Sequence, residues 1–212
     1  MKRLIPLALG LSLTLAYAAP AHAQLLGSKG DAIFSAERLF GVRGEHWKVD
    51  PPAPLPTTEG TVTVISFGLA TPYVPYNIPR LAFDYMVIDQ LSIGGALGFA
   101  HSDESGDNLG APTTFLVAPR VGFLHMFGRV AGIWPRGGFT YHSSVVDRVY
   151  SENGFGLNLE CMFPIVVAPH FGFEFGLAFD QSLTATRNPD NGPDIDITYR
   201  SIAPQVGLFG WI

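Results

Sequence analysis

Charged residues stand inside apolar stretches of this chain at spacings that would let them pair. The pattern Pro-Arg-x-small-Phe occurs three times, beginning at Pro79, Pro119 and Pro135. Side chains alternate between two faces of an extended strand, so each arginine points away from the face of its proline and phenylalanine. Acidic residues share the arginine face. The predicted charge network contains Arg80, Asp84, Arg120, Arg136, Glu160, Glu174 and Asp180.

Ion pairing is the chemistry that this set supports. Counting along the strands places Arg120, Arg136, Glu160 and Glu174 near the middle of four consecutive strands. A buried guanidinium needs an acidic partner, and its planar fork can bond two carboxylates at once. We therefore expect the four to meet at mid-height and to close the space that these strands enclose. Our interpretation is that these charges only stabilise the protein, and a regulated or leaky conduit is the alternative.

Two groups of residues have the types of a catalytic base and a nucleophile. They are His101 with Ser102 or Ser105 and Glu104, and His142 with Ser143 and Asp147. Neither group has a diagnostic spacing, and histidine and serine are ordinary loop residues. We expect no catalytic residues and no enzyme, and keep a lipid-acting deacylase or esterase as a third hypothesis.

Acidic loops are the remaining candidates for ligand binding. Asp103, Glu104 and Asp107 form one group, and Asp190, Asp194 and Asp196 form another. Neither has a complete calcium-loop pattern, and the chain has no phosphate loop, dinucleotide fingerprint or zinc motif. The single cysteine, Cys161, excludes a disulfide framework. We expect no metal site and no cofactor.

Eight stretches of alternating character would position these side chains. They are Thr61 to Leu69, Pro79 to Val87, Gln90 to His101, Thr113 to His125, Val130 to Tyr141, Gly154 to Val166, Pro169 to Ser182, and Ile197 to Ile212. The connections alternate between tight turns and long polar loops, which is the habit of outer-membrane barrels. Eight strands in this order place both ends of the barrel on the side of the tight turns.

The two faces of the strands indicate the environment. From Pro169 to Ser182, one face carries Phe171, Phe173 and Phe175, and the other is mostly small or polar. A face of glycine, alanine and serine suits a narrow lumen, whereas the bulky face suits lipid. The sequence predicts an all-β fold, an eight-stranded antiparallel up-and-down transmembrane β-barrel with an N-terminal extension. A soluble β-sandwich is the alternative.

The first 60 residues differ from the rest of the chain. Residues 1–23 have a basic start, an apolar run and a small-residue cleavage site, so we predict a signal peptide cleaved before Gln24. Residues 24–60 are predicted to be an N-terminal extension with a proline-rich linker, although Ala32 to Val42 is one possible strand. Residues 61–212 are predicted to form the barrel.

Several motifs resemble those of a known class. The segments that carry the resemblance are 77–85, 118–123, 133–141 and 203–212. They are similar to outer-membrane β-barrel proteins of the opacity and OmpA-type class. The resemblance covers residues from about Pro79 to the C-terminus, and it implies an eight-stranded barrel inserted by the outer-membrane assembly machinery, which reads an aromatic-rich final strand. Here that strand ends in Phe209, Trp211 and Ile212.

Charge and composition limit the partners. The formal net charge of −5 argues against nucleic acid, and only 15% of residues are charged. We expect a monomer in the outer membrane of a Gram-negative cell, in contact with lipid and lipopolysaccharide. The predicted role is structural or surface interaction, with the lumen closed by the charge network. A narrow pore for small solutes is the alternative.

Overall fold

The computed structural model describes residues 26–67, 75–101, 112–146 and 148–212, so the predicted signal peptide lies outside the described residues. The described residues contain ten strands. They are β1 Ala32–Asp50, β2 Thr58–Phe67, β3 Arg80–Ile88, β4 Leu91–His101, β5 Pro112–Phe123, β6 His125–Met126, β7 Gly132–Val146, β8 Tyr150–Ala168, β9 Phe171–Pro189 and β10 Ile195–Trp211. No helix in these ranges is long and apolar enough to cross a membrane.

Antiparallel pairing closes the sheet into a ring. In the described residues, the ring runs β1, β3, β4, β5, β7, β8, β9 and β10, and β10 returns to β1 with Ile33 opposite Trp211. The Ala32 amide donates to the Ile212 carbonyl at 2.9 Å, so both ends of the barrel lie at the same rim. The predicted eight-stranded up-and-down barrel is confirmed.

The predicted N-terminal extension is wrong in its placement. Residues 32–50 form the first wall strand of the barrel, since β1 pairs with β10 and with β3. The reason is a bulge. Register shifts between Ala36 and Phe40, and Arg38 has a positive φ of 58°, so the alternation of faces that marks a strand in the sequence is broken there.

The predicted first strand, Thr61 to Leu69, has a different role in the structure. We call the end of the barrel that holds Ala32 and Ile212 the inner rim and the opposite end the outer rim. The described part of the predicted strand belongs to β2, which pairs with the half of β1 nearer the outer rim, between Phe40 and Val49, while β3 pairs with the half nearer the inner rim. Thus β2 and β3 share one position in the wall, which is why the count of eight is preserved. The predicted proline-rich linker is the tip of the β1–β2 hairpin, where Thr57 Oγ1 donates to Asp50 at 2.8 Å.

The wall strands extend further at the outer rim than the sequence predicted. The segments 142–153 and 183–196 were predicted to be long loops, but β7 continues to Val146 and β8 begins at Tyr150.

The predicted loop 70–78 folds inward at its end. A 3-10 helix at Pro75–Asn77 lies buried inside the barrel and contacts β5 and β7.

The barrel has its apolar face on the outside. Leu81 is 72% exposed and Leu177 is 58% exposed, whereas the inward-facing Arg136 is 3% exposed. Phenylalanine rings pair along this outer face, as in the stack of Phe163 on Phe175 with centroids 5.5 Å apart. We call this outward band of apolar side chains the apolar belt. The interior therefore carries the charge, the reverse of a soluble barrel.

Candidate functional site in the barrel lumen

Glu37 lies at the centre of the charged layer. Arg120 approaches it with both terminal nitrogens, at 2.7 and 2.8 Å, and Arg136 Nη1 lies 2.8 Å from the same carboxylate. Arg120 also donates to Asp84 at 2.5 Å. Each of these side chains is buried, so water does not screen the pairs strongly. One glutamate thus joins two arginines from different strands.

A second carboxylate, Glu160, connects three arginines. Its oxygens lie 2.8 Å from Arg136, 3.1 Å from Arg38 and 3.5 Å from Arg120. The register explains the shortest of these distances, because Glu160 and Arg136 are directly opposite on β8 and β7. Neighbouring residues on paired strands lie about 5 Å apart, which long charged side chains easily span.

Asp180 ties the network to the inward-folded segment. Arg38 donates to Asp180 at 2.8 Å, and Asn158 donates to it at 2.9 Å. The backbone carbonyl of Tyr76 accepts hydrogen bonds from both Arg38 and Arg80, the latter at 2.8 Å. The 3-10 helix is therefore held in the lumen by two guanidinium groups of the same charged layer.

Glu174 is the least paired acid of the layer. Its only ion pair to a described residue is with Arg136 at 3.4 Å, and its Oε1 atom has no hydrogen-bond partner among the described residues. Gln205 on β10 is diagonally opposite Glu174 on β9. Neither the nitrogen nor the oxygen of its side-chain amide has a hydrogen-bond partner among the described residues. The charge network thus has a tightly paired side around Glu37 and a loosely paired side around Glu174.

The seven predicted network residues are all buried and all belong to one set of contacts. Arg120 and Arg136 both contact Glu160, and Glu174 reaches Arg136. The two residues that sequence reasoning missed are Glu37 and Arg38, because their segment was assigned to an extension. The sequence did contain a signal for their place in the lumen, because this Glu-Arg pair lies between apolar residues in a stretch of strand-forming character.

The lumen is filled at both ends of the charged layer. At the inner rim, Trp134, Met162 and Phe209 belong to an apolar cluster. Trp134 donates to Ser92 at 3.3 Å, and the Arg136 guanidinium lies 4.7 Å from the centre of its ring. At the outer rim a second cluster surrounds the inserted segment. The members of this cluster include Tyr76 of the segment itself, Ile78, Leu116 and Tyr199.

Glycines provide the space that these side chains occupy. A Cβ on Gly122 would lie 2.5 Å from Trp134 Nε1, and one on Gly94 would lie 2.6 Å from an Asp84 carboxylate oxygen. Any larger residue would displace the tryptophan or the acid. The small face that the sequence shows is therefore the complement of the large charged and aromatic groups on neighbouring strands.

A smaller polar group lies between the charged layer and the outer rim. Glu152 accepts from Arg187 at 2.8 Å and from the Tyr199 hydroxyl at 2.9 Å, and its other oxygen lies 3.2 Å from His142 Nε2. His142 and Glu152 are buried, and the ring of Tyr76 packs edge-on to His142 at 5.1 Å. This group fixes the outer ends of β7 to β10 around the inserted segment.

The candidate catalytic groups do not assemble in the described residues. His142 faces the lumen, whereas its neighbour Ser143 belongs to the opposite face, and Asp147 lies outside the described residues. His101 pairs with Thr113 Oγ1 at 2.8 Å, while Ser102, Glu104 and Ser105 lie outside the described residues.

The acidic groups do not assemble a cation site in the described part of the chain either. No group of three or more histidine, cysteine or acidic residues in those ranges could hold a metal ion. Asp190, Asp194 and Asp196 form no such group, and Asp103, Glu104 and Asp107 lie outside the described residues.

Comparison with known proteins gives structural likenesses only. No protein-family profile matches the chain, and no curated protein is similar to it in sequence. The chain is similar to the outer membrane protein OprG from Pseudomonas aeruginosa, with 14% identity, a TM-score of 0.48, and coverage of 88% of this chain and 99% of that chain.

Two further solved structures are similar. The N-terminal β-barrel domain of Pseudomonas aeruginosa OprF has 8% identity and a TM-score of 0.47, with 87% of this chain and 98% of that chain covered. Ail, the attachment invasion locus protein of Yersinia pestis, has 10% identity and a TM-score of 0.38, with 85% and 99% covered. The barrel assignment itself rests on the strand pairing of this chain.

Proposed function

We propose that this protein is a monomeric outer-membrane β-barrel with a structural or surface-interaction role, whose lumen is closed by the arginine and carboxylate network. The observation that carries the proposal is the inverted distribution of polarity. Four arginines and five carboxylates of the described residues are buried in one layer, while large apolar side chains cover the outer wall. A wall of this kind is stable against hydrocarbon and unfavourable against water.

The length of the apolar belt supports a membrane location. On β9 the outward side chains from Phe171 to Phe179 are apolar, and on β10 the outward run extends from Ile202 to Gly210. Each run spans nine residues, which matches the nine to eleven residues of a tilted strand that crosses hydrocarbon. Hydrocarbon also requires every backbone group to be paired, and a closed ring of antiparallel strands meets that requirement.

Three stacked layers of side chains support the proposed closure of the lumen. Apolar residues fill the inner rim, the ion-paired layer fills the centre, and the inserted 3-10 helix fills the outer part. An ion that crossed this interior would have to separate arginines from carboxylates in a poorly solvated space. Removing one partner of a buried pair costs about 3–5 kcal/mol, so thermal separation of several pairs at once is rare.

The remaining partners belong to the same proposal. Insertion by the outer-membrane assembly machinery would use the final strand, in which Phe209 and Trp211 face the lumen, and the exposed Ile212 that follows it. Export would use residues 1–23 as a cleaved signal peptide. Outer-membrane lipid and lipopolysaccharide would contact the belt and its outer border.

Gel mobility and bilayer conductance together test this proposal. Folded protein in detergent should migrate faster on a denaturing gel when it is not boiled, and it should insert into planar bilayers without steady ion conductance. Steady conductance in the unmodified protein would support the narrow pore instead. A protein that is soluble without detergent and shows no heat-dependent shift would contradict the membrane location.

A further inference from the structure

The outer border of the apolar belt carries a cationic side chain that no acidic residue in the described ranges neutralises. On β10 the outward apolar run ends at Ile202, and the next outward residue is Arg200. Arg200 is exposed, and it lies opposite Gln181 on β9 and opposite His46 on β1. Three polar side chains therefore stand side by side on adjacent strands, next to the end of the outward apolar run of β10.

One hydrogen bond fixes Arg200 against the neighbouring strand. Its Nε atom donates to Gln181 Oε1 on β9 at 2.8 Å. Within the described ranges Arg200 has no carboxylate partner, whereas Arg187 and the lumen arginines each have one. The two terminal nitrogens make no hydrogen bond to a described residue, so they can donate to a group outside the protein.

The immediate neighbours of Arg200 do not add negative charge, and the amide group of Gln181 already donates to the Ser182 and Tyr199 carbonyls. His46 lies beside it and shares a hydrogen bond of 3.2 Å with Thr61 Oγ1. The acidic residues of this face are further out, where Asp50 and Asp196 are paired in register. Lys48 is already bound to Asp50 at 2.7 Å, so Arg200 is the unneutralised cation nearest to the belt on these strands.

We propose that Arg200, held in place by Gln181 and assisted by His46, binds a phosphate group of an outer-leaflet lipid whose acyl chains cover the apolar belt beneath. The inference rests on the membrane location proposed above. Arginine suits this ligand, because two parallel N–H donors match two phosphate oxygens and the charge is permanent. The position suits it also, because a headgroup phosphate lies just outside the hydrocarbon that meets Ile202.

Native mass spectrometry of the folded protein in detergent tests the site. The probes are bisphosphorylated lipid A and the same lipid with its phosphates removed. The unmodified protein should retain the phosphorylated lipid in preference, and Arg200→Gln should weaken that retention about fivefold to tenfold, as expected for a lost charge-assisted pair. Arg200→Lys should keep part of the preference, because the charge remains without the fork.

The matched control is Arg148→Gln, which removes the same charge from an exposed turn at the outer rim. It should leave lipid retention unchanged. Equal retention of both lipids by the unmodified protein, or an effect of Arg148→Gln as large as that of Arg200→Gln, would overturn the site. The heat-dependent gel shift is measured in the same samples, so a failure of the barrel proposal is seen separately from a failure of lipid binding.

Discussion

Arg120 and Glu37 form a two-pronged ion pair inside the barrel, with both terminal nitrogens of the arginine within 2.8 Å of the carboxylate. The two residues lie on β5 and β1, which are not neighbours in the wall. The pair therefore spans the lumen and connects two separate strands. Because such pairs make the interior rigid, removing one of them should affect both the stability and the permeability of the barrel.

Glu37→Gln should destabilise the barrel strongly. The change removes the acid shared by Arg120 and Arg136 and leaves two buried guanidinium groups with less negative charge. Loss of one partner from a buried pair costs about 3–5 kcal/mol. Urea unfolding in lipid vesicles measures this free energy. Glu59→Gln, at an exposed position of β2, is the control and should change it by less than about 0.5 kcal/mol. Equal effects of the two variants would contradict the network.

Glu160 and Glu174 should differ in their contributions, because Glu160 pairs with three arginines within 3.5 Å and Glu174 with one at 3.4 Å. We expect Glu160→Gln to lower the unfolding midpoint more than Glu174→Gln. The double variant should also conduct ions, because the arginines then lose two of the charges that hold them together. Thermal unfolding and single-channel recording check these outcomes, and unchanged stability of the double variant would contradict the plug.

Gly98→Val should displace the inserted segment. A Cβ at Gly98 would lie 2.6 Å from the Ile78 side chain, which is buried in the outer lumen. Overpacking of this kind costs about 1–3 kcal/mol, and the segment is the part that can move. Conductance should rise while the heat-dependent gel shift remains. The control, Gly192→Val, meets only Pro189 at 3.7 Å and should have no effect on conductance. Unchanged conductance of Gly98→Val would show that the inserted segment does not limit the passage of ions.

Leu177→Arg tests the apolar belt from the outside. Leu177 lies in the outward run of β9 and is 58% exposed, so in a membrane it faces lipid. An arginine near the middle of the bilayer should destabilise the barrel by about 2–4 kcal/mol. Thr198→Arg places the same side chain on the outward face of β10 beyond the belt and should be nearly neutral. A similar small effect at both positions, measured by urea unfolding in vesicles, would argue against a lipid-facing belt.

The periodicity of the strands predicted the barrel and seven network residues, because alternation in β8 and β9 is regular enough to assign each face. Phe171 to Phe179 against Glu174 and Asp180 is the clearest case. In a regular strand the sequence determines which residues share a face. Glycines on the same face as the charged residues indicate that this face lines the narrow lumen.

The rest could not be predicted because it depends on irregular backbone. The bulge at Arg38 breaks the alternation, so β1 was assigned to an extension and Glu37 was missed with it. No periodic pattern in the sequence predicts that Pro75–Asn77 folds into the lumen. This segment is held by Arg80, which is close in the chain, and by Arg38, which lies on β1 and reaches the segment only in the closed ring.

The native Cys161 offers the most direct test of the inverted barrel. It stands opposite Leu177 on the outer wall, one residue from the lumen-facing Glu160. A nitroxide attached to this single cysteine, in protein reconstituted into vesicles, should collide frequently with dissolved oxygen, which concentrates in lipid, and rarely with a water-soluble nickel complex. Frequent collision with the nickel complex, and little with oxygen, would place this face in water and contradict the account.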